Sequence, residues 1–512
     1  MPIQFRFACV LILAILGLNY FLFFRARSII AQPSLSDTSE HCHIPDWNRV
    51  ETQSIANSFW NSVSRVLWMA LDLSRENNQN YTSLSLIGAY VYPESISITL
   101  NTQYMVKQRL FCRYFDCKSR EISGSEWEGV VFPESVIHCP RRIGAEFVSV
   151  SRTREEEPVD PMRLTLRDYR EPIHDLAICV APLYGNEPKW LQIVEFIEHH
   201  KMEGATMFYF HIGNISDYDR KVLDEYENKG EIEVKVFQEK NERPFYAWQL
   251  IEIQDCHNRA KHHSKWTAFI DIDERISTKN GSILEFLTAE DVAGKLGEIQ
   301  MPILNIPKYE DAPERYENEE QVRREAISRK YQKTPGPTWD ASKAMIRPDK
   351  IGIMSIHYAI ALEPGYSTLK SDASKIVLRH YRSTKHRENG NNWDDGKRLY
   401  DSPLPVEFSE ELVKNVVQKS KNIYEKLKFL VHVILLLFPL SAYFLANFIY
   451  INFPFLAHAS FLMVQEHGAA SALTLLLTSN LLRKSVKQLI TTTIELVKHN
   501  EITNQRNEAS WQ

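Results

Sequence analysis

The sequence has no surplus of charge of either sign: 60 lysines and arginines stand against 65 aspartates and glutamates in 512 residues, a net charge of −5. That balance excludes a chain held to nucleic acid by a positive surface and suits a neutral or activated small substrate. Cysteine is scarce, with seven residues and no zinc-ligand spacing among them. Cys9 falls in an apolar run, which leaves Cys42, Cys112, Cys117, Cys139, Cys179 and Cys256, an even set able to pair in an oxidising compartment. Cys179 and Cys256 fall inside regular elements, where buried free thiols are an equal alternative.

Residues 7–24 lack any charge, and no small-x-small cleavage site precedes Arg25 and Arg27. Their length matches a bilayer-crossing helix, so an uncleaved signal-anchor is expected there, with residues 1–6 as a short cytosolic tail. Charge does not fix the orientation, because Arg25 and Arg27 follow the span and only Arg6 and the terminal amine precede it. A second uncharged stretch makes 429–456 a candidate second span, the alternative being a hairpin packed on the protein, with 457–512 as a tail. Residues 25–84, rich in Ser, Thr and Gln in their first part, are expected to be a stem. Three sequons, at Asn80, Asn214 and Asn280, suit a body in the lumen of the Golgi or endoplasmic reticulum, on a single-pass type II or a two-pass chain.

Short alternating runs predict a small β-rich region over 85–171. From 172 to 425 the pattern changes. DLAICVAPLYG reads as a buried strand, PKWLQIVEFIEHHKMEG as a helix and ATMFYFHIG as the next strand. SDYDRKVLDEYENKG, EIEVKVFQ, YAWQLIEIQDCHNRAKHHS and WTAFIDID continue the alternation of helix and strand. The fold class is therefore α/β, a Rossmann-related, mostly parallel sheet with helices on both faces, whose ligands would sit beyond the carboxyl ends of the strands.

WTAFIDIDER ends one of those strands in Asp271, Asp273 and Glu274. Two carboxylates separated by one residue project from the same side of an extended chain, a geometry able to hold a hard divalent cation. Mn²⁺ or Mg²⁺ held there would neutralise the departing diphosphate of a sugar nucleotide. A bare D-x-D is otherwise a solvated strand-end pair.

Several motifs occur together and in order: CRYFDC, VFPESVIHCPRR, ICVAPLYGNEPKWLQIVEFIEHH, QDCHNRAKHHSKWTAFIDIDER, SKAMIRPDKIGIMSIH and LRHYRS. Across them, from about Cys112 to Arg382, the sequence resembles glycosyltransferase family 92 in its nematode form, with Phe196 replacing the usual aromatic. The resemblance implies a GT-A-like fold and an inverting transfer of galactose from UDP-galactose to a glycan. It places Asn186, Glu187 and Asp217 toward the nucleotide, although Glu187 could simply favour a helix dipole and Asp217 could cap the following helix with Ser216. Asp271 and Asp273 would bind metal, Asp271 also facing the donor, with His380 of LRHYRS completing the site and His357 as its rival. Lys343 and Arg347 could meet the diphosphate. No residue stands out as general base; Asp340, in TPGPTWDASK, is the leading carboxylate on the reasoning that this Pro/Gly-rich segment forms an acceptor-side loop. Two other functions remain open at this level: an inactive glycan-binding scaffold of the same fold, and a metal-dependent hydrolase, which no second carboxylate motif supports.

Overall fold

The computed structural model describes residues 42–51, 84–102, 105–167, 171–237, 245–384 and 396–425. The runs at 7–24 and 429–456, residues 1–6, most of 25–84 and the tail 457–512 lie outside the described residues. Among the described residues no helix is long and apolar enough to cross a membrane.

Alternating apolar and polar side chains between Leu86 and Leu166 form two four-stranded sheets. They share one core, in which Ile98 and Ile137 of one sheet meet Tyr114 and Val148 of the other. Disulfides Cys112–Cys139 and Cys42–Cys117 staple this region and the segment leading into it.

A nine-stranded mixed sheet follows. Its strands and helices in chain order are β1 (His174–Leu183), α1 (Trp190–Met202), β2 (Met207–Ile212), α2 (Asp217–Glu227), β3 (Ile232–Val236), α3 (Phe245–Ala260), β4 (Ser264–Ile270), β5 (Glu274–Thr278), α4 (Ile283–Glu290), β6 (Leu296–Lys308), α5 (Glu319–Glu325), β7 (Pro337–Ile346), β8 (Ser367–Lys370) and β9 (Ile376–Ser383). The spatial order is β3-β2-β1-β4-β7-β6-β9-β5, with β8 against β6. Strands β3, β2, β1 and β4 are parallel, as the βαβ alternation predicts. The other half is mixed: β7 runs antiparallel to β4 and β6, β9 runs parallel to β6, and β5 runs antiparallel to β9.

Strand β1 shows why both faces are covered. Leu176, Ile178 and Val180 point into a core with α1, α2, α4 and a helix over 406–425. Ala177 and Cys179 point the other way, against Ile253, Cys256 and Ala260 of α3. Each fully buried Ile, Leu or Phe contributes roughly 1.5–3 kcal/mol, and disulfide Cys179–Cys256 fastens α3 to the sheet. Helix α1 stops before Gly204, whose φ of +99° reverses the chain into β2.

The β-rich region docks on α3. Tyr90 Oη donates to Asp255 Oδ1 at 2.8 Å and Tyr92 Oη to the Asn258 carbonyl at 2.6 Å. Asp255 also faces His211 at 2.8 Å and Lys235 at 3.4 Å. Complete burial disfavours its charge, but Lys235 and the His211 hydrogen bond outweigh that and hold its carboxyl well below the usual range. Helix α3 is thus clamped between the sheet and the N-terminal strands.

Candidate functional site

The carboxyl ends of β1, β2 and β4 lie side by side, and the late strands bring their own side chains to the same edge. At the end of β4 the backbone turns through Asp271–Ile272–Asp273 into β5, closed by a bond from Glu274 N to the Asp271 carbonyl at 3.0 Å. Two neighbours in the sequence hold this turn. Glu274, 1% exposed, accepts from Asp271 N at 2.7 Å. Arg275, equally buried, donates to the Ile272 and Glu274 carbonyls at 2.7 and 2.9 Å and to the Gln192 carbonyl of α1 at 3.1 Å.

The two aspartates face different partners. Asp271 accepts from Lys343 Nζ at 2.8 Å and from Gln249 Nε2 of α3 at 3.3 Å. Asp273 faces His380, whose Nε2 lies 3.4 Å from Oδ2. This meeting follows from strand register: β9 pairs with β5 so that His380 stands opposite Glu274, and the Tyr381 amide bonds the Asp273 carbonyl at 2.9 Å. The other His380 nitrogen is 3.8 Å from Glu274.

Burial penalises the charge on Asp273, yet the His380 cation and its hydrogen bond prevail and hold the carboxyl at about 2. Burial likewise opposes the His380 charge, but Asp273 raises the ring to about 9. Glu274 is pushed upward, first by burial and then by the Asp271 charge. Tyr184, just past β1, is pushed upward by burial and by the charges of Asp271, Asp273 and Glu187, so these groups share one electrostatic neighbourhood. Lys308, the last residue of β6, joins it from the other side: burial lowers its pKa against the pull of Asp273 and Asp311.

Asp273 and His380 are a carboxylate–imidazole pair with side chains 28% and 17% exposed, so solvent reaches both. That donor set fits a divalent cation such as Mn²⁺. Asp271 is not drawn into the same cluster. Among the described residues, the acidic, histidine and cysteine side chains that gather three donor atoms within 4.8 Å are Cys179, Glu252 and Cys256, and those two sulfurs are already bonded to each other.

The remaining expected site residues distribute unevenly. Asn186 and Glu187 are exposed on the β1–α1 loop, where Glu187 pairs with Lys189 at 3.2 Å. Asp217 is the exposed first residue of α2 and is not its capping partner. Ser216 caps that helix through Asp219 N, and the buried Asp219 carboxylate accepts from Lys189 N and Trp190 N at 2.9 and 2.7 Å, capping α1 as well.

Lys343 does not reach out toward a diphosphate. It is 4% exposed, and its ammonium neutralises Asp271 and, at 3.7 Å, Glu274. Arg347 lies at the wrong end of the sheet, because β7 runs antiparallel to β4; it bonds the Gly294 carbonyl at 3.1 Å and faces Asp291 at 3.4 Å. His357 Nδ1 sits 3.0 Å from the Ser342 carbonyl, on the Lys343 side of the site and not against Asp273. Asp340 is exposed, but it belongs to strand β7 and not to a loop.

Four roles are not predicted from the sequence: Glu274, expected only as part of the acidic cluster, and Arg275 as the clamp of the turn, Gln249 on Asp271, and Lys308. The signal for the first two was present in the pair that directly continues IDID. For Gln249 it was the row Gln249, Glu252, Asp255 and Arg259, polar side chains at three- and four-residue spacing on a helix face that packs on the sheet.

Comparison with known proteins follows the same boundaries. The family model described as Glycosyltransferase family 92 matches residues 174–418. The beta-1,4-galactosyltransferase galt-1 of Caenorhabditis elegans is 24% identical over 271 residues, 49% of this chain and 61% of its own. The galactan beta-1,4-galactosyltransferase GALS1 of Arabidopsis thaliana is 22% identical over 262 residues, 50% of this chain and 48% of its own. The chain therefore spans less than two thirds of the length of the curated relatives it matches. The crystal structure of S. aureus TarS 1–349 aligns at 12% identity over 49% of this chain and 73% of that one, with a TM-score of 0.24, too slight a likeness to carry an argument. The family match begins at the first residue of β1 and ends inside the helix over 406–425, so it covers the nine-stranded sheet, its helices and the paired Asp273 and His380; over those residues the chain matches the glycosyltransferase family 92 model.

Proposed function

We propose that this chain is a metal-dependent, inverting glycosyltransferase of GT-A-like architecture that moves galactose from UDP-galactose to a glycan acceptor. The observation that carries the reading is the pairing of Asp273 with His380 at the carboxyl edge of the parallel strands, inside the family domain. Both relatives bear galactosyltransferase names, which motivates the sugar.

Asp273 and His380 would hold Mn²⁺ or Mg²⁺, which when bound supplies positive charge against the departing diphosphate. Glu274 and Arg275 keep the turn rigid, so that Asp273 meets its ligand already oriented. Lys343 cancels the charge of Asp271, which lowers the repulsion an incoming diphosphate would meet. Asn186 and Glu187 border the donor from the β1–α1 loop. In the transfer, an acceptor hydroxyl oxygen bonds to the anomeric carbon as the glycosidic bond to phosphate breaks. UDP leaves with the electron pair, and the hydroxyl proton passes to a carboxylate, for which Asp340 is the proposed base.

The proposed address is the Golgi lumen, with residues 7–24 as anchor. Three disulfides suit an oxidising compartment, and the sequon residues Asn214 and Asn280 are exposed.

Incubating the full-length chain with a panel of UDP-sugars, Mn²⁺ and glycan acceptors tests the reaction. UDP release should be greatest with UDP-galactose, rise when acceptor is added and stop in excess EDTA. Absence of UDP release from every donor and acceptor pair sinks the proposal.

A further inference from the structure

Glycosyl transfer needs the acceptor held beside the donor, and an unusual piece of β7 lies there. The register of β6 against β7 jumps from Met301 opposite Lys343 to Ile303 opposite Thr338, so residues 339–342 bulge out of the ladder. Ala341 in this bulge has φ +59°, a left-handed conformation that costs a residue with a side chain roughly 1–3 kcal/mol and persists only where the surroundings impose it. Two contacts impose it here: Lys343 is anchored on Asp271 at 2.8 Å, and His357 is bonded to the Ser342 carbonyl at 3.0 Å.

The bulge carries Trp339. Trp190 and Trp266 are buried in the core at 0% and 3% exposure, whereas Trp339 is 45% exposed. Its ring has Lys370 at 5.9 Å, and Tyr358, next to the His357 that pins the bulge, is 50% exposed. Strand register gives the distance from the candidate metal pair. Thr338 and Leu378 both pair with Ile303, so the bulge starts two strand spacings, about 10 Å, from β9 and two residues short of the level of His380. A wide, rigid aromatic face beside an exposed carboxylate, Asp340, offers a sugar ring an apolar surface for its C–H face and an acceptor for its hydroxyls.

We propose that the β7 bulge is the acceptor platform and that Trp339 binds a pyranose ring of the glycan acceptor on its exposed face, an assignment that rests on the transfer proposed above. Strain in the backbone fixes the ring's position, and the link through Lys343 to Asp271 ties that position to the donor side. Trp339 is a binding residue and takes no part in bond making.

The test uses the full-length chain with β-1,4-linked galactotetraose as probe. Binding is followed by saturation-transfer NMR, and acceptor KM is measured with UDP-galactose as donor. Trp339→Leu keeps apolar bulk without a flat face and should weaken galactotetraose binding and raise acceptor KM at least tenfold. Trp339→Phe should keep most of both. The far-UV circular dichroism spectrum and the melting temperature should be unchanged in the two variants, which shows that they are folded. Wild-type binding by Trp339→Leu, or no galactotetraose binding by the wild-type chain, overturns the proposal. Trp339-dependent binding in a chain that never turns over UDP-galactose would leave the platform standing and reject the donor reading alone.

Discussion

Glu203 ends α1 as its C-cap residue, 4% exposed, with Oε2 accepting from the Ile283 amide at the start of α4 at 3.1 Å. Burial pushes its carboxyl up to about 8, against a partial offset from that amide. In the unfolded chain a glutamate titrates near 4.3, and each unit of difference is worth about 1.36 kcal/mol. Because the folded value lies above the unfolded one, the stability tied to Glu203 is intact below about pH 4 and lost as the pH rises toward 8. The loss amounts to about 1 kcal/mol at pH 5 and about 3.7 kcal/mol at pH 7. The positive end of α4 favours the charged form by up to about 1 kcal/mol, which leaves about 3 at pH 7. Glu203→Gln keeps the acceptor oxygen and removes the titration. The variant should melt higher than wild type, by a gap that widens from about 2 °C at pH 5 to about 6 °C at pH 7, at roughly 2 °C per kcal/mol for a large domain. Thermal melts of the two proteins across that range decide it. A constant gap, or a variant that is less stable at pH 7, would refute the burial argument.

Further outcomes follow from the site and its frame. Arg275→Met removes the donor to three buried carbonyls and should cost about 3 kcal/mol in a denaturant melt; a loss under about 0.5 kcal/mol would show that the turn holds itself. His380→Ala should lower UDP release and raise the Mn²⁺ concentration needed for half-maximal rate, whereas His357→Ala should leave that concentration unchanged; the reverse pattern would transfer the ligand role to His357. Asn214→Gln and Asn280→Gln should each remove one glycosidase-sensitive mobility step from the secreted-pathway protein, and unshifted mobility in both would count against a lumenal body.

Local periodicity made the first half of the sheet legible. Apolar runs of strand length alternate there with amphipathic helices from His174 to Ile270, and the structure places β1 to β4 and α1 to α3 on those segments. The second half was not readable in this way, because its pairings are non-local. Nothing near Lys343 announces that β7 will lie between β4 and β6, and that placement alone turns Lys343 inward and sends Arg347 to the far end. The Pro and Gly before Asp340 suggest a loop, yet Gly336 precedes the strand and the irregularity is a bulge within β7. His380 was identifiable only by resemblance; its approach to Asp273 depends on the β5–β9 register, which its own neighbours do not encode. Cys179 and Cys256 left two readings open, and only the packing of α3 on β1 brings the pair together.

The carboxylate edge of β4 and β5 is the proposed donor site. Calorimetric titration of UDP-galactose into the full-length wild-type chain and into Asp273→Asn, each with and without Mn²⁺, reads it directly. The side chain of Asp273 is close to the surface, and its amide replacement is nearly isosteric, so the variant should remain folded. The wild type should bind UDP-galactose at least tenfold more tightly with Mn²⁺ than without, and Asp273→Asn should show no such gain. Equal Mn²⁺-dependent binding by the two proteins, or no binding by the wild type, would contradict the account.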